Sequence, residues 1–180
     1  PLQIGSTAHL EPIAGEVAFV ESFANVVATR TDEGLVMVDA GSPLHAQAIV
    51  TSIRSWTDAP LHTAVFTHGH VDHIYAVGHF EAEGHAARVL AHEALPRRFD
   101  RYTMTNGYNG VINQRQFQLP VPLFPGDYRY PDETYVDRLD VTVGGTEFSL
   151  RHDRGETDDH TWVWMPNEKV LCTGDLFIWA

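Results

Sequence analysis

The sequence is poor in cysteine, in basic residues and in long apolar runs. Cys172 is its single cysteine, which excludes an intrachain disulfide framework and a cysteine-rich zinc site. The 12 Lys and Arg residues are outnumbered by 24 Asp and Glu, and the formal net charge of −12 disfavours contact with a nucleic-acid backbone. No apolar run approaches the roughly 18 residues of a membrane span. We therefore expect neither a nucleic-acid partner nor a membrane partner.

The chain also lacks a recognisable signal peptide, and it begins at Pro1 without a methionine. The sequence leaves the compartment open, with a soluble, cytoplasmic protein slightly favoured. An apolar content of 43% and a length of 180 residues fit one globular domain with a sizeable core.

Short apolar runs, most of them rich in β-branched residues, are typical of strands and alternate with amphipathic stretches. Strands are predicted at 17–20, 25–30, 35–39, 61–66, 87–91, 139–143, 147–151, 161–165 and 169–172. A helix is predicted over 44–56, a short helix within 73–80, and a helical start at 92–95. The strand–helix–strand order around 44–56 predicts a sheet with a helix packed on its outside.

The stretch 96–135 differs from the rest because it is rich in proline and tyrosine and shows little periodicity. We interpret it as a long loop, an insertion on the substrate side, because long loops in compact domains are usually functional. Tyr108, Asn109, Asn113 and Arg115 are its candidate substrate contacts. A structural excursion packed on its own aromatic residues is an equally good interpretation of any one of them.

The most specific motif is Thr67-His68-Gly69-His70-Val71-Asp72-His73, which directly follows a predicted strand. It delivers three imidazoles and one carboxylate to one point, and these are the ligands that zinc and similar divalent metals take. Gly69 would allow a tight turn between ligands. The alternative is a His-rich surface loop, since the chain has 11 His.

This spacing resembles the H-x-H-x-D-H signature of the metallo-β-lactamase superfamily. The resemblance implies an α/β fold, the four-layer αββα sandwich, over residues 1–180 but without its C-terminal part. The chain ends after the apolar run Leu176–Trp179, so we expect a second chain or a missing C-terminal segment to cover Val163, Leu171, Leu176, Phe177 and Ile178. The sequence also leaves open whether the chain forms a homo-oligomer.

Two further motifs extend the resemblance. Gly155-Glu156-Thr157 stands where most members carry G-H-T, and a Glu there resembles the alkylsulfatase branch. Thr173-Gly174-Asp175 resembles the G-D element, whose Asp bridges both metals, although alkylsulfatases tend to have Glu there. The resemblance implies two metal ions, with zinc expected and other divalent metals left open. The implied ligands are His68, His70 and Glu156 for one ion, and Asp72, His73 and Asp175 for the other.

The implied function is a dinuclear hydrolase in which a metal-bridging hydroxide attacks a small ester-type substrate, such as a sulfate ester. Asp72 would ligate the second metal and orient the nucleophile or accept its proton. Asp39 would orient a ligand histidine, Asp158 and Asp159 would be plain turn carboxylates, and His160 would have no ligand role. The alternatives are a lactonase, β-lactamase or thioesterase of the same fold, and a non-catalytic metal-bound subunit of a two-chain assembly.

Overall fold

Two β-sheets and four α-helices make up residues 7–177, the part of the chain that the computed structural model describes. The strands are β1 Leu10–Ala14, β2 Val17–Val20, β3 Val26–Thr31, β4 Gly34–Val38, β5 Leu61–Val65, β6 Arg88–His92, β7 Glu133–Tyr135, β8 Arg138–Val143, β9 Thr146–His152, β10 Thr161–Met165 and β11 Val170–Cys172. The helices are α1 Ala46–Trp56, α2 Ala76–Glu81, α3 Leu95–Met104 and α4 Asn106–Phe117, and a 3-10 turn spans Gly174–Leu176.

The large sheet has seven strands in the order β1-β2-β3-β4-β5-β6-β7, and the small sheet has four in the order β11-β10-β9-β8. Strands β1 to β4 pair antiparallel, β4 to β7 pair parallel, and the small sheet is antiparallel throughout. Every strand predicted from the sequence is present. β1 and β7 were not predicted.

Strand β4 shows how the layers form, because it is buried on both faces. Leu35 and Met37 belong to the core shared with α1 and α2, whereas Val36 and Val38 belong to the core shared with the small sheet. This alternation follows from the two-residue period of a strand. Helices, large sheet and small sheet therefore make three layers, which agrees with a partial αββα sandwich of the predicted α/β class.

The prediction of a long loop over 96–135 is wrong, because α3, α4 and β7 occupy much of that stretch. Pro96 lies in the first turn of α3, where its missing N–H costs nothing. Helix α3 buries Leu95 and Phe99, but α4 buries only Gly110. A helix with so little buried surface has no apolar period, so the sequence pattern gave no sign of it.

The C-terminal residues that were expected to need a covering partner differ in their exposure. Val163 is fully buried between the sheets, so that part of the expectation is wrong. Leu171 and Phe177 are 52% and 76% exposed, as expected, and Leu176 is half-buried. Ile178 lies outside the described residues. Separately, no helix within residues 7–177 has the length and apolar character needed to cross a membrane.

The parallel strands bring the predicted motifs together at one edge of the large sheet. Asp39 follows β4, the 67–73 motif follows β5, and β6 ends at His92. The carboxyl ends of parallel strands are where α/β folds place their ligands. Tyr135, at the end of β7, donates or accepts a 2.6 Å hydrogen bond with Thr161 Oγ1, which ties the small sheet to the same edge.

The β8–β9 turn offers a matched test of how the two sheets meet. Gly144 and Gly145 both have positive φ, at 49° and 82°, so alanine is strained at either position. A methyl group on Gly144 would also collide with the backbone nitrogens of Asp32 and Glu33, whereas one on Gly145 meets nothing within 4 Å. We expect G145A to lower the free energy of unfolding by about 1–2 kcal/mol. G144A should lower it by about 1–3 kcal/mol more. Equal losses in urea titrations would contradict this close contact.

Candidate metal centre

The carboxylate of Asp39 fixes the loop that carries the histidines. Its Oδ1 accepts the Thr67 backbone N–H at 2.8 Å, and its Oδ2 accepts the Thr67 hydroxyl at 2.8 Å. Oδ2 also lies 2.7 Å from His73 Nδ1. All three residues are buried, and Asp39 itself has a φ of 61°. Asp39 therefore holds the loop and orients His73, the role expected of it.

These contacts also set which ring nitrogen each histidine presents. Because the Thr67 hydroxyl donates to Asp39, it accepts at 3.1 Å from His68 Nδ1, and this leaves a lone pair on His68 Nε2. In the same way, His73 donates from Nδ1 to Asp39 and keeps Nε2 for another partner. His68 Nε2 is buried and has no hydrogen-bond partner. A buried polar atom without a partner needs an explanation, and a bound metal would supply one.

Two trios of side chains converge on this nitrogen. In the first, Glu156 Oε2 lies 2.8 Å from His70 Nδ1 and 3.7 Å from His68 Nε2. In the second, Asp175 Oδ2 lies 3.6 Å from His73 Nε2 and 4.0 Å from His68 Nε2. The ligand atoms of each trio lie within 4.8 Å of one another, so each could hold a metal ion. His68 is common to both.

Asp72 stands apart from this arrangement. Its Oδ2 lies 3.7 Å from His73 Nε2, but Asp72 belongs to neither trio. The expected second set was Asp72, His73 and Asp175, whereas the structure groups His68 with His73 and Asp175. The role of Asp72 as a ligand and catalytic group stays a prediction.

The electrostatics of the trios suit a cation. Burial, and next the charges of His73 and His70, lower the pKa of His68 far below its ordinary value, so this imidazole is neutral. Burial also lowers the pKa of His73, but the charge of Asp39 and the nearby Asp175 carboxylate outweigh it and raise the pKa above its ordinary value. A metal ion and a proton would therefore compete for His73 Nε2.

An ion pair outside the motif also contacts the loop. Asp159 is fully buried, and its Oδ1 accepts from Arg98 Nε at 2.9 Å while its Oδ2 accepts the Gly69 N–H at 2.9 Å. The expectation that Asp159 is a plain turn carboxylate is wrong. Asp158 is 80% exposed and pairs with the outer edge of Arg98. Nothing near Arg98 in the sequence marks it as part of the site, because its partner lies 61 residues away.

Gly69 has a different role from the one expected. Its φ is not positive, so the turn does not require glycine for its backbone conformation. Instead, a Cβ atom there would lie 2.8 Å from Arg98 Cδ and 3.1 Å from Asp159 Oδ2. Glycine lets the Arg98–Asp159 pair approach the loop.

His160 is a second feature that the sequence did not predict. It is fully buried, its ring centroid lies 5.8 Å from that of His68, and neither ring nitrogen has a hydrogen-bond partner. It belongs to neither trio, and the absence of a ligand role stays a prediction.

The four candidate substrate residues all lie on α4. Asn109 Nδ2 donates to Thr105 Oγ1 at 2.9 Å, and Asn113 Nδ2 donates to the Leu123 carbonyl at 3.4 Å, so both amides brace the helix. Tyr108 is 70% exposed, and Arg115 is exposed as well. Within residues 7–177 no hydrogen bond or ion pair joins these four side chains to the trios.

Sequence relatives include two enzymes that are much longer than this chain. A linear primary-alkylsulfatase from Pseudomonas sp. (strain ATCC 19151) is 25% identical over 166 residues, which is 80% of this chain and 31% of that protein. The 2,4-dinitroanisole O-demethylase subunit alpha from Nocardioides sp. (strain JS1661) is 28% identical over 171 residues, 92% of this chain and 45% of that protein. The chain thus spans a third to a half of these relatives.

Solved structures support the same fold. The sec-alkylsulfatase Pisa1 from Pseudomonas sp. has a TM-score of 0.77 at 18% identity, covering 91% of this chain and 30% of that one. BJP-1, a subclass B3 metallo-beta-lactamase of Bradyrhizobium japonicum, has a TM-score of 0.68 at 18% identity, covering 91% and 59%. The alkylsulfatases among these relatives support the resemblance to the alkylsulfatase-like branch. A family profile matches residues 20–178, nearly the whole chain, and the chain therefore belongs to the metallo-beta-lactamase superfamily.

Proposed function

We propose that this chain carries the metal centre of a dinuclear metal-dependent hydrolase that cleaves an ester-type substrate, a sulfate ester of an alkyl alcohol. The observation that carries the proposal is the trio of His68, His70 and Glu156, with a carboxylate as its third member. Together with the alkylsulfatase relative, that trio favours the alkylsulfatase-like branch over the other hydrolases of the fold.

The donor set fits a divalent metal, zinc in the first instance. His68 presents a neutral, buried and unpartnered Nε2, and carboxylates approach it from two sides. Neutral imidazole and carboxylate are the protein ligands expected at a hydrolytic zinc site. Two divalent ions held there would supply Lewis acidity and a water of lowered pKa.

The protein's own residues have separate tasks in this proposal. His68, His70 and Glu156 would hold the first ion, and Asp72, His73 and Asp175 would hold the second. Asp175 Oδ2 lies within 4.0 Å of both His68 Nε2 and His73 Nε2, so this carboxylate would supply negative charge next to both imidazoles. Asp72 would orient the attacking water or accept its proton, and Asp39 keeps His73 Nε2 directed at the centre. Tyr108, Asn109, Asn113 and Arg115 stay candidates for contact with the substrate.

A second candidate function follows from the other sequence relative. That protein is named an O-demethylase and a subunit alpha, and it matches 92% of this chain. It favours cleavage of a methyl ether on an aromatic ring by an assembly with a second chain, which also agrees with the exposed Leu171 and Phe177.

A substrate panel distinguishes these functions. We expect the full-length protein to hydrolyse linear and secondary alkyl sulfates, to lose that activity by more than about 100-fold after removal of metal with a chelator, and to regain it with zinc. Turnover of 2,4-dinitroanisole without turnover of alkyl sulfates would support the second candidate instead. Activity only on lactones, thioesters or β-lactams would favour the other hydrolases of the fold.

Glu156 provides the sharpest test of the metal site. We expect E156A to bind its first metal more than about 100-fold more weakly, because even the loss of a group behind the ligands costs 10–100-fold. E156H should retain metal, because imidazole is also a zinc ligand. Elemental analysis and chelator competition measure both, with Glu147→Ala on an exposed position of β9 as the control. Wild-type metal content in E156A would mean that the turn carries only solvated charge.

A further inference from the structure

We infer that Arg98 and Asp159 are positioning residues that set the geometry of the His68–His70–Glu156 trio. We call their ion pair, together with its hydrogen bond to the N–H of Gly69, the Arg98 brace. This inference rests on the proposed metal centre, and it assigns a role to two residues that belong to neither trio.

The brace joins three separate segments of the chain. Gly69 lies between His68 and His70, Asp159 lies in the loop that carries Glu156, and Arg98 lies on α3. One carboxylate reaches the other two segments, since Asp159 Oδ2 accepts from Gly69 N–H and Oδ1 accepts from Arg98 Nε, both at 2.9 Å. The distance between the histidine loop and the Glu156 loop is therefore fixed at the point where the first trio forms.

Burial makes this contact rigid. The Asp159 side chain is 0% exposed and that of Arg98 is 10% exposed. A buried carboxylate is costly unless it is paired and fully hydrogen-bonded. If Arg98 is removed, the Asp159 carboxylate has to turn toward water. Its hydrogen bond with the Gly69 N–H would then break. His68 and His70 would then lose their fixed distance from Glu156.

Three facts set this brace apart from an ordinary surface ion pair. Arg98 bonds Asp159 through Nε and Asp158 through its terminal nitrogen, so the guanidinium is held at two points. The ion pair packs so closely on Gly69 that a side chain at this position would have no room. Burial lowers the pKa of Arg98, but the charge of Asp159 outweighs it and raises the pKa above its ordinary value. The guanidinium therefore stays charged.

The test compares Arg98→Gln and Asp159→Asn, singly and together, with Arg54→Gln as the matched control. Arg54 makes a comparable pair with Glu83, with Nε to Oε1 at 3.0 Å and a side chain that is 20% exposed. That pair ties α1 to the end of α2 and touches neither trio. Zinc affinity is measured by competition with a chromophoric chelator, and unfolding of the metal-free protein is measured in parallel.

We expect Arg98→Gln and Asp159→Asn each to weaken zinc binding by about 10–100-fold, as other partners behind metal ligands do. The zinc affinity of the double variant should lie within about threefold of that of the weaker single variant, because both substitutions break the same ion pair. Arg54→Gln should change stability alone. Unchanged zinc affinity in Arg98→Gln, with a loss of stability equal to that of Arg54→Gln, would overturn the inference.

Two further measurements cover a variant that folds poorly. Arg98→Lys keeps the positive charge but loses the two-point contact, so it should bind zinc more tightly than Arg98→Gln and more weakly than the wild type. Zinc affinity no better than that of Arg98→Gln would show that charge alone contributes nothing. Hydrogen exchange of the metal-free protein should be faster over residues 68–73 in Arg98→Gln and unchanged there in Arg54→Gln; equal exchange would also contradict the brace. Wild-type protein that binds zinc but hydrolyses no ester would remove the proposed function and leave the brace standing.

Discussion

A single buried carboxylate, that of Asp39, determines how the imidazoles of the centre are presented. It accepts three hydrogen bonds at the ends of β4 and β5, from the Thr67 amide, the Thr67 hydroxyl and His73 Nδ1. Because the hydroxyl is committed to Asp39, His68 must donate its Nδ1 proton to that hydroxyl. One acid thus sets the tautomers of His68 and His73, and both rings direct Nε2 toward Asp175.

The centre is built across the two sheets, so the geometry of the sandwich is also the geometry of the site. The large sheet supplies the histidines, and the loops of the small sheet supply Glu156 and Asp175. A short bond from Thr161 N–H to the Thr67 carbonyl, 2.6 Å, joins the sheets beside His68. A metal ion held by both sides would bind only the folded arrangement, and it would therefore stabilise the packing of one sheet on the other.

Local patterns predicted most of the strands and the histidine loop, because both are encoded by neighbouring residues. The pairs Leu35 and Met37, and Val36 and Val38, alternate as a doubly buried strand requires. Strand β1 was missed because its central residues are exposed and one is a proline. Helix α4 was missed because it buries only Gly110. An element that buries few side chains shows no hydrophobic periodicity, so its sequence does not predict it.

Hydrophobic periodicity does not predict contacts between segments that are distant in the sequence. The carboxylates of this acidic chain are an example. The sequence predicts a solvated carboxylate at Asp159, but in the fold this side chain is buried against Arg98. The remaining carboxylates at the centre, Asp72, Glu156 and Asp175, crowd around imidazoles in a chain of net charge −12. An anionic sulfate ester would be repelled by this field. In the proposed reaction, bound divalent ions would offset this negative charge where an anionic substrate approaches.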